Sequence, residues 1–294
     1  MLLKTKTKVS LAKGLSEVIA RGRGLVGLDS HTEVVRGGLR WQLDLSEGID
    51  LAIYLFGVFE RETLSAIRRR LNPGCVVFDI GANVGALTLQ MARLVGPAGR
   101  VVAFEPTQYA FHKLQRNVEL NGDLKERVIL EQVMLGESMH AVVPKHIYSS
   151  WPLTDDVHLH GKHGGRLMPT VGARATSVDE YRRQSRVRHV DLVKIDVDGS
   201  ECTVLRGARA TLRECRPVIV MEFAPYVLEE AGSTVGELCE ILSEVSYQLY
   251  DIGTGKALPL RARDMKAMVP DGCGINVIAA PNSAEAAITL PLSA

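Results

Sequence analysis

Two short stretches hold residues whose types and spacing could do chemistry. In "FDIGANVGALTLQ", Phe78 to Gln90, a strand-like apolar run meets a helix-like one, and Asp79, Gly81, Ala82, Asn83 and Gly85 crowd the turn between them. Glycines at a strand-to-helix turn let backbone approach a ligand closely, and the helix behind them offers free N–H groups. A dinucleotide or a nucleoside cofactor would both suit such a turn. The dinucleotide fingerprint requires G-x-G-x-x-G, whereas Asn83 stands here where the middle glycine belongs. Asn83 puts a side chain where a pyrophosphate needs bare backbone, and Asp79 sets negative charge towards two phosphates. Both features favour a cofactor without phosphates that carries an ammonium or sulfonium, as S-adenosylmethionine does. The second stretch, "VVAFEP", ends in Glu105, placed where a carboxylate can accept from ribose hydroxyls, and Pro106 stops the strand. Singly, Asp79 reads equally well as a helix cap and Glu105 as a solvated strand end; together, at this spacing, they read as a cofactor site.

The elements that must position these residues follow from the apolar pattern. From Cys75 onward, short Val/Ile/Leu-rich strands alternate with helical segments: CVVFDI, a helix, RVVAFEP, a helix, RVILEQVML. The rhythm resumes with VDLVKIDVDG, a helix around Thr203 to Leu212, PVIVMEF and a helix near Val235 to Val245. Continuous apolar strands separated by helices predict a doubly wound, mostly parallel α/β sheet buried on both faces. Upstream, "TEVVRGGLRWQLDL" predicts a hairpin about Gly37 and Gly38, and "GIDLAIYLFGVFERETLSAIRRRL" a helix broken at Gly57. The expected organisation is an N-terminal helical and hairpin extension over 1–72 packing on a core domain over 73–294. A polar, Gly-rich insertion at about 136–175 interrupts the βα rhythm and is the candidate substrate side.

The motifs together resemble the FkbM-type family of S-adenosylmethionine-dependent methyltransferases. The resemblance rests on "YLFGVFE" (Tyr54 to Glu60), "PGCVVFDIGANVGALTLQMA", "GRVVAFEP", "LQRNVELNG", "VKIDVDGSE" with "VLRGA", and "VIVMEF", and covers about two thirds of the chain in order. Members of that family read closer to "KIDVEGAE", so Asp198 and Ser200 are departures. What the resemblance implies is a Rossmann-like class I sheet of seven strands, with the N-terminal segment as a cap, and S-adenosyl-L-methionine lying across the carboxyl ends of the first strands. It implies that Asp79, Gly81, Ala82, Asn83 and Gly85 surround the amino acid end of the cofactor, and that Glu105 and Pro106 meet the ribose. Thr107 would stand near the adenine, and Met134 and Leu135 against its face, where plain strand packing is the alternative.

A hydroxyl is a poor nucleophile until its proton leaves, so carboxylates and histidines at strand ends are the candidate catalysts. Asp196, closing "VDLVKID", is the first choice as general base or acceptor-orienting group, with helix capping as its alternative. Lys194 lies two residues back on the same strand face, either pairing with a carboxylate or binding the acceptor, and Glu222 closes the neighbouring "VIVMEF". His158, His160 and His163 in "HLHGKHGG" could supply a base or hold zinc, though a Gly-rich loop more often leaves such side chains solvated; no metal site is expected. Tyr148 and Trp151 could stack on a sugar or plug a local core, and His112 reads as structural.

Composition bounds the rest. At 294 residues with 46% apolar, the chain can bury a proper core, and its net charge of +1 gives no global basic field for nucleic acid. The five cysteines, Cys75, Cys202, Cys215, Cys239 and Cys273, lack paired or metal-binding spacing and read as reduced thiols in a cytoplasmic protein. The basic N-terminus lacks the apolar core of a secretory signal and no apolar run is long enough to span a bilayer. A solvated helix is the expected reading of that basic start, with a membrane-surface role as its alternative. The resemblance therefore implies an O-methyltransferase acting on a hydroxyl of a carbohydrate, glycolipid or secondary metabolite; homo-oligomerisation is compatible with the sequence and not specified by it. The alternatives are an N-methyltransferase on RNA or protein, a non-catalytic cofactor-binding subunit, and a dehydrogenase. Amino-methylating enzymes of this fold often carry Asn or Asp, Pro-Pro and an aromatic after the fourth strand; this chain has "DVDG" there.

Overall fold

The computed structural model describes residues 5–153, 159–161 and 164–282. A helix, α1 (Thr5–Gly24), precedes the expected hairpin of β1 (His31–Arg36) and β2 (Leu39–Asp44). Gly37 and Gly38 form its two-residue turn with φ of 58° and 76°, the left-handed pair that matches the twist of the flanking strands. Next come α2 (Gly48–Phe56) and α3 (Arg61–Arg68); Gly57, at φ 72°, ends α2 where the break was expected.

The first half of the core runs β3 (Val76–Ile80), α4 (Thr88–Leu94), β4 (Arg100–Phe104), α5 (Gln108–Glu119), α6 (Gly122–Lys125), β5 (Val128–Glu131). Four short strands follow: β6 (Val133–Leu135), β7 (His146–Ser149), β8 (Arg166–Pro169) and β9 (Arg174–Thr176). The second half is α7 (Val178–Gln184), β10 (Leu192–Ile195), α8 (Glu201–Arg206), α9 (Arg209–Glu214), β11 (Val218–Phe223), α10 (Pro225–Glu230) and α11 (Val235–Glu244). Last are β12 (Tyr247–Asp251), β13 (Ala257–Leu258), α12 (Ala262–Met268) and β14 (Ile275–Pro281).

Eight strands form one sheet in the order β13, β12, β14, β11, β10, β3, β4, β5. The run from β11 to β5 is parallel throughout, and β14 lies antiparallel between β11 and β12. Seven strands were expected; the eighth is the two-residue β13, which adds an edge ribbon to β12. Two other expectations change. The stretch "RVILEQVML" is two strands, because β6 leaves the sheet after Gln132 and pairs with β9 instead. The helix expected around Thr203 to Leu212 is two, α8 and α9, divided at Gly207 and Ala208.

Alternation along the strands sends side chains to both faces of the sheet. Phe78, Ile80, Val102, Phe104, Val193 and Ile195 enter one core, where Phe78, Phe104 and Tyr181 meet edge to face. Val77, Val101, Ala103 and Leu192 enter the other, which Trp41, Leu43, Ile49 and Ile53 of the N-terminal elements cover. Asp79 and Lys194, register partners on β3 and β10, share the parity of that second face. Two charged side chains therefore point beneath the N-terminal elements.

Candidate active site

The β3 to α4 turn is stitched to the end of β4. The N–H groups of Gly81 and Ala82 both donate to the Phe104 carbonyl at 3.0 Å, and the Asn83 N–H donates to Glu105 Oε2 at 2.9 Å. Asn83 itself sits in the left-handed region at φ 48°, which asparagine tolerates better than most residues. Gly81 has φ 76°, and a Cβ there would lie 1.9 Å from the Asp196 carbonyl oxygen. A Cβ on Gly85, at φ 90°, would lie 2.8 Å from Leu114. From sequence these glycines serve close approach of a ligand; their geometry answers first to the neighbouring strand end and helix.

Glu105 is buried and accepts on both oxygens, from Asn83 on Oε2 and from the Thr107 N–H and hydroxyl on Oε1, at 2.9 and 2.5 Å. Burial pushes its carboxyl up, while those hydrogen bonds pull the other way. Thr107 thus braces Glu105 from a fully buried position.

Lys194 is the hub at the end of β10. Its Nζ donates to the Gly81 carbonyl at 2.8 Å and lies 3.4 Å from Asp196 and 3.6 Å from Asp79. Burial alone would lower the ammonium; Asp196, Asp79 and Glu60 overcome it and hold the group above its usual range. Asp79 is fully buried, accepts from the Thr88 hydroxyl at 2.5 Å, and keeps Oδ1 without a hydrogen-bond partner. Acids gather round this pair. Burial and the negative charge of Asp196 push Glu60 up to about 7, and burial with Asp196 and Asp198 raises Glu222 well above the ordinary carboxyl range. Asp198, at φ 46° before Gly199, is raised well above that range by burial, then by Asp196 and Glu201. Glu201 accepts from the N–H groups of Val197 and Gly199 at 3.4 and 3.3 Å and is pushed up to about 7, chiefly by burial.

A cavity of about 570 Å³ opens over these strand ends. Of the residues singled out from the sequence, Gly81, Ala82, Asn83, Glu105, Pro106, Met134, Leu135, Lys194 and Asp196 line it. Asp79, Gly85, Thr107 and Glu222 do not; they lie behind the wall, with Asp79 tied to Thr88 and Lys194. Tyr148, Trp151 and His160 reach the cavity from the insertion. The His160 ring meets Tyr148 edge to face with centroids 4.8 Å apart, and its Nε2 lies 3.4 Å from Glu230 Oε2. His158 and His163 lie outside the described residues, and His112 is exposed on α5. Among the described residues no group of three or more His, Cys, Asp or Glu is arranged to hold a metal ion.

Contributors from two further segments stand at the site. Glu60 ends the quoted "YLFGVFE", so its motif was visible but its approach to Lys194 and Asp196 depends on how the N-terminal elements fold over β10. Val227, Glu230 and Ala231, on and just after α10, also line the cavity, and nothing in their local sequence marks them.

The mostly parallel sheet with a cavity over its strand ends defines a Rossmann-like α/β fold of the class I methyltransferase type. The FkbM methyltransferase domain matches residues 79–249, and the chain belongs to that family. Methyltransferase 1 of Beauveria bassiana is 29% identical over 146 residues, covering 45% of this chain and 57% of that protein. The 2-O-methyltransferase NoeI of Sinorhizobium fredii is 23% identical over 180 residues, 58% of this chain and 72% of NoeI. The chain spans less than two thirds of the length of Methyltransferase 1 and of methyltransferase sdnD from Sordaria araneosa, at 57% and 59%. Among solved structures, an FkbM methyltransferase from Methylobacillus flagellatus aligns with TM-score 0.39 at 18% identity, over 70% of this chain and 43% of that one.

Proposed function

We propose that this chain is an S-adenosylmethionine-dependent O-methyltransferase whose acceptor is a hydroxyl of a carbohydrate, glycolipid or secondary metabolite. The acceptor oxygens of the cavity lining carry the reading. Glu105, Asp196, Asp198 and Glu230 bring carboxyl groups to its lining, and Lys194, the lysine that lines it among the described residues, is committed to Asp79, Asp196 and the Gly81 carbonyl. Such a wall of acceptor oxygens suits a ligand with ribose hydroxyls and a cationic centre better than the phosphates of a dinucleotide. Its volume of about 570 Å³ falls within the range of small-molecule sites. When bound, S-adenosylmethionine supplies a methyl group already activated on a sulfonium.

The chain's residues then hold and orient. Gly81, Ala82 and Asn83 meet the amino acid end, Glu105 and Pro106 the ribose, and Met134 and Leu135 the adenine; Asp79, Gly85 and Thr107 brace them from behind. Fixing acceptor and methyl in line contributes roughly 7 to 11 kcal/mol. Asp196, held against Lys194 with its side chain 23% exposed, takes the acceptor proton or orients the hydroxyl. A second base is favoured by one observation: His160, oriented by Glu230, faces the same cavity. We further assign 1–72 as a cap and 73–294 as the transferase domain, with the insertion at about 136–175 choosing the acceptor. The acceptor is a small molecule or glycan and not nucleic acid, and the cytoplasmic setting read from the cysteines belongs to the same proposal.

The test is transfer of labelled methyl to metabolite pools, with mass spectrometry of the product. Label on RNA or protein overturns the hydroxyl acceptor, and thermal stabilisation by NAD but not by S-adenosylmethionine overturns the donor. Asp196→Asn is expected to keep donor binding in calorimetry and to lose about 10²- to 10⁴-fold in turnover. Unchanged turnover in Asp196→Asn, with that loss in His160→Gln, moves the base to His160.

A further inference from the structure

Helix α1 carries two apolar stripes. Val9, Ala12 and Ile19 pack against the core, and Ser16 on the same side donates to the Leu45 carbonyl at 2.9 Å. Leu11, Leu15 and Val18, spaced i, i+4 and i+7, form a second stripe turned away from the first, exposed by 67%, 43% and 66%. Leu25, Val26 and Leu28, in the turn just past the helix, are exposed by 88%, 70% and 52%. A solvated helix would carry polar residues at these positions. Six large apolar side chains open to water in one short stretch are a binding surface.

Charge selects the occupant. The first 24 residues contain Lys4, Lys6, Lys8, Lys13, Arg21 and Arg23 against Glu17 alone, in a chain whose net charge is only +1. The remainder of the protein is therefore net acidic, and positive charge is concentrated in the stretch of sequence that carries the exposed stripe. A second copy docking through the same face would set one cationic helix against another. An anionic lipid surface satisfies both features, apolar side chains at the acyl boundary and cations on headgroup phosphates.

We propose that α1 and the turn after it dock this protein on an anionic lipid bilayer. Val9, on the packed side of α1, lies beside Gly164 of the insertion, so the docking stripe stays clear of that contact. The proposal stands on the surface of α1 alone and holds whether or not methyl transfer does.

Co-sedimentation of the full chain with phosphatidylcholine vesicles, with and without phosphatidylglycerol, tests it. Binding is expected to the anionic vesicles only, to weaken as salt rises, and to fall about tenfold or more in Leu11→Gln/Leu15→Gln/Val18→Gln. Circular dichroism checks that this variant is folded, and Lys13→Glu/Arg21→Glu, which leaves the apolar stripe intact, is expected to lose binding as well. Three outcomes overturn the proposal: no binding to anionic vesicles, equal binding by both variants and the parent chain, or a solution dimer by light scattering that the triple variant converts to monomer.

Discussion

The backbone N–H of Asn83 donates to the Glu105 carboxylate at 2.9 Å, joining two turns that stand 22 residues apart in the chain. The carboxylate's other oxygen takes the Thr107 N–H and hydroxyl, so one side chain sets the geometry of both turns. The acid that reads from sequence as a ribose ligand is thus also the clamp that shapes the cofactor turn. Glu105→Gln replaces one accepting oxygen by an NH2 that faces a donor. The expected cost is about 1 to 3 kcal/mol in urea unfolding. Affinity for S-adenosylmethionine, measured by calorimetry, is expected to fall about tenfold or more, since a loss of 1.4 kcal/mol is already tenfold. Unchanged values on both counts would remove Glu105 from the clamp and from the ligand.

Lys194 and Asp79 form a buried pair 3.6 Å apart. With the lysine gone, Asp79 would be left fully buried with Thr88 as its hydrogen-bond donor. Lys194→Met is expected to destabilise the protein by about 3 to 5 kcal/mol, the usual consequence of stranding a buried charge. Adding Asp79→Asn to that variant removes the stranded charge and is expected to recover about 1 to 3 kcal/mol. Denaturant melts of the two singles and the double close the cycle, and strict additivity would show that the 3.6 Å separation carries no coupling.

Gly81 and Gly122 separate the glycine that packing requires from one it does not. A Cβ at Gly81 would lie 1.9 Å from the Asp196 carbonyl at a backbone φ of 76°, so Gly81→Ala must push β3 and β10 apart. Little folded protein is expected from that variant. Gly122 opens α6 and a Cβ there meets nothing within 4 Å, so Gly122→Ala is expected to raise stability by about 0.4 to 1 kcal/mol. Thermal melts decide both, and a well-folded Gly81→Ala would contradict the close approach of the strands.

The parts of this structure that were legible in the sequence are those written in local pattern. Apolar runs such as "CVVFDI" and "VIVMEF" gave strands, and Gly37, Gly38 and Gly57 gave a turn and a break, because backbone conformation there is set by a few adjacent residues. What local pattern does not carry is direction. Asp79 was expected to face the ligand, yet strand alternation and pairing with β10 turn it beneath the N-terminal elements, where Thr88 and Lys194 hold it. Glu222 follows the same parity and stands across from Asn276 of β14 rather than in the cavity. Glu60 and Glu230 could not be placed because their contacts come from segments remote in sequence. The split of β5 from β6 at Gln132 was equally hidden, since both pieces are apolar and only the partner strand differs.

Glu201 gives the structure a pH dependence with a definite sign. Burial pushes its carboxyl from an ordinary 4.5 up to about 7, although the Val197 and Gly199 N–H groups bond its Oε1. A carboxyl raised on folding favours the folded state while protonated: its contribution is complete below pH 4.5 and is lost as pH rises through about 7. Above that point the folded protein carries a buried charge that the unfolded chain keeps in water. In Glu201→Gln the amide oxygen accepts the same two N–H bonds without ionising. The variant is expected to match the parent chain near pH 5 and to exceed it by about 1 to 3 kcal/mol at pH 8, where the full shift would act. Urea melts of both proteins at the two pH values measure this difference, and a gap that stays constant between them would refute the raised carboxyl. Calorimetric titration of the variant with S-adenosylmethionine then separates stability from function: retained affinity assigns Glu201 to the loop after β10, and lost affinity assigns it to the ligand.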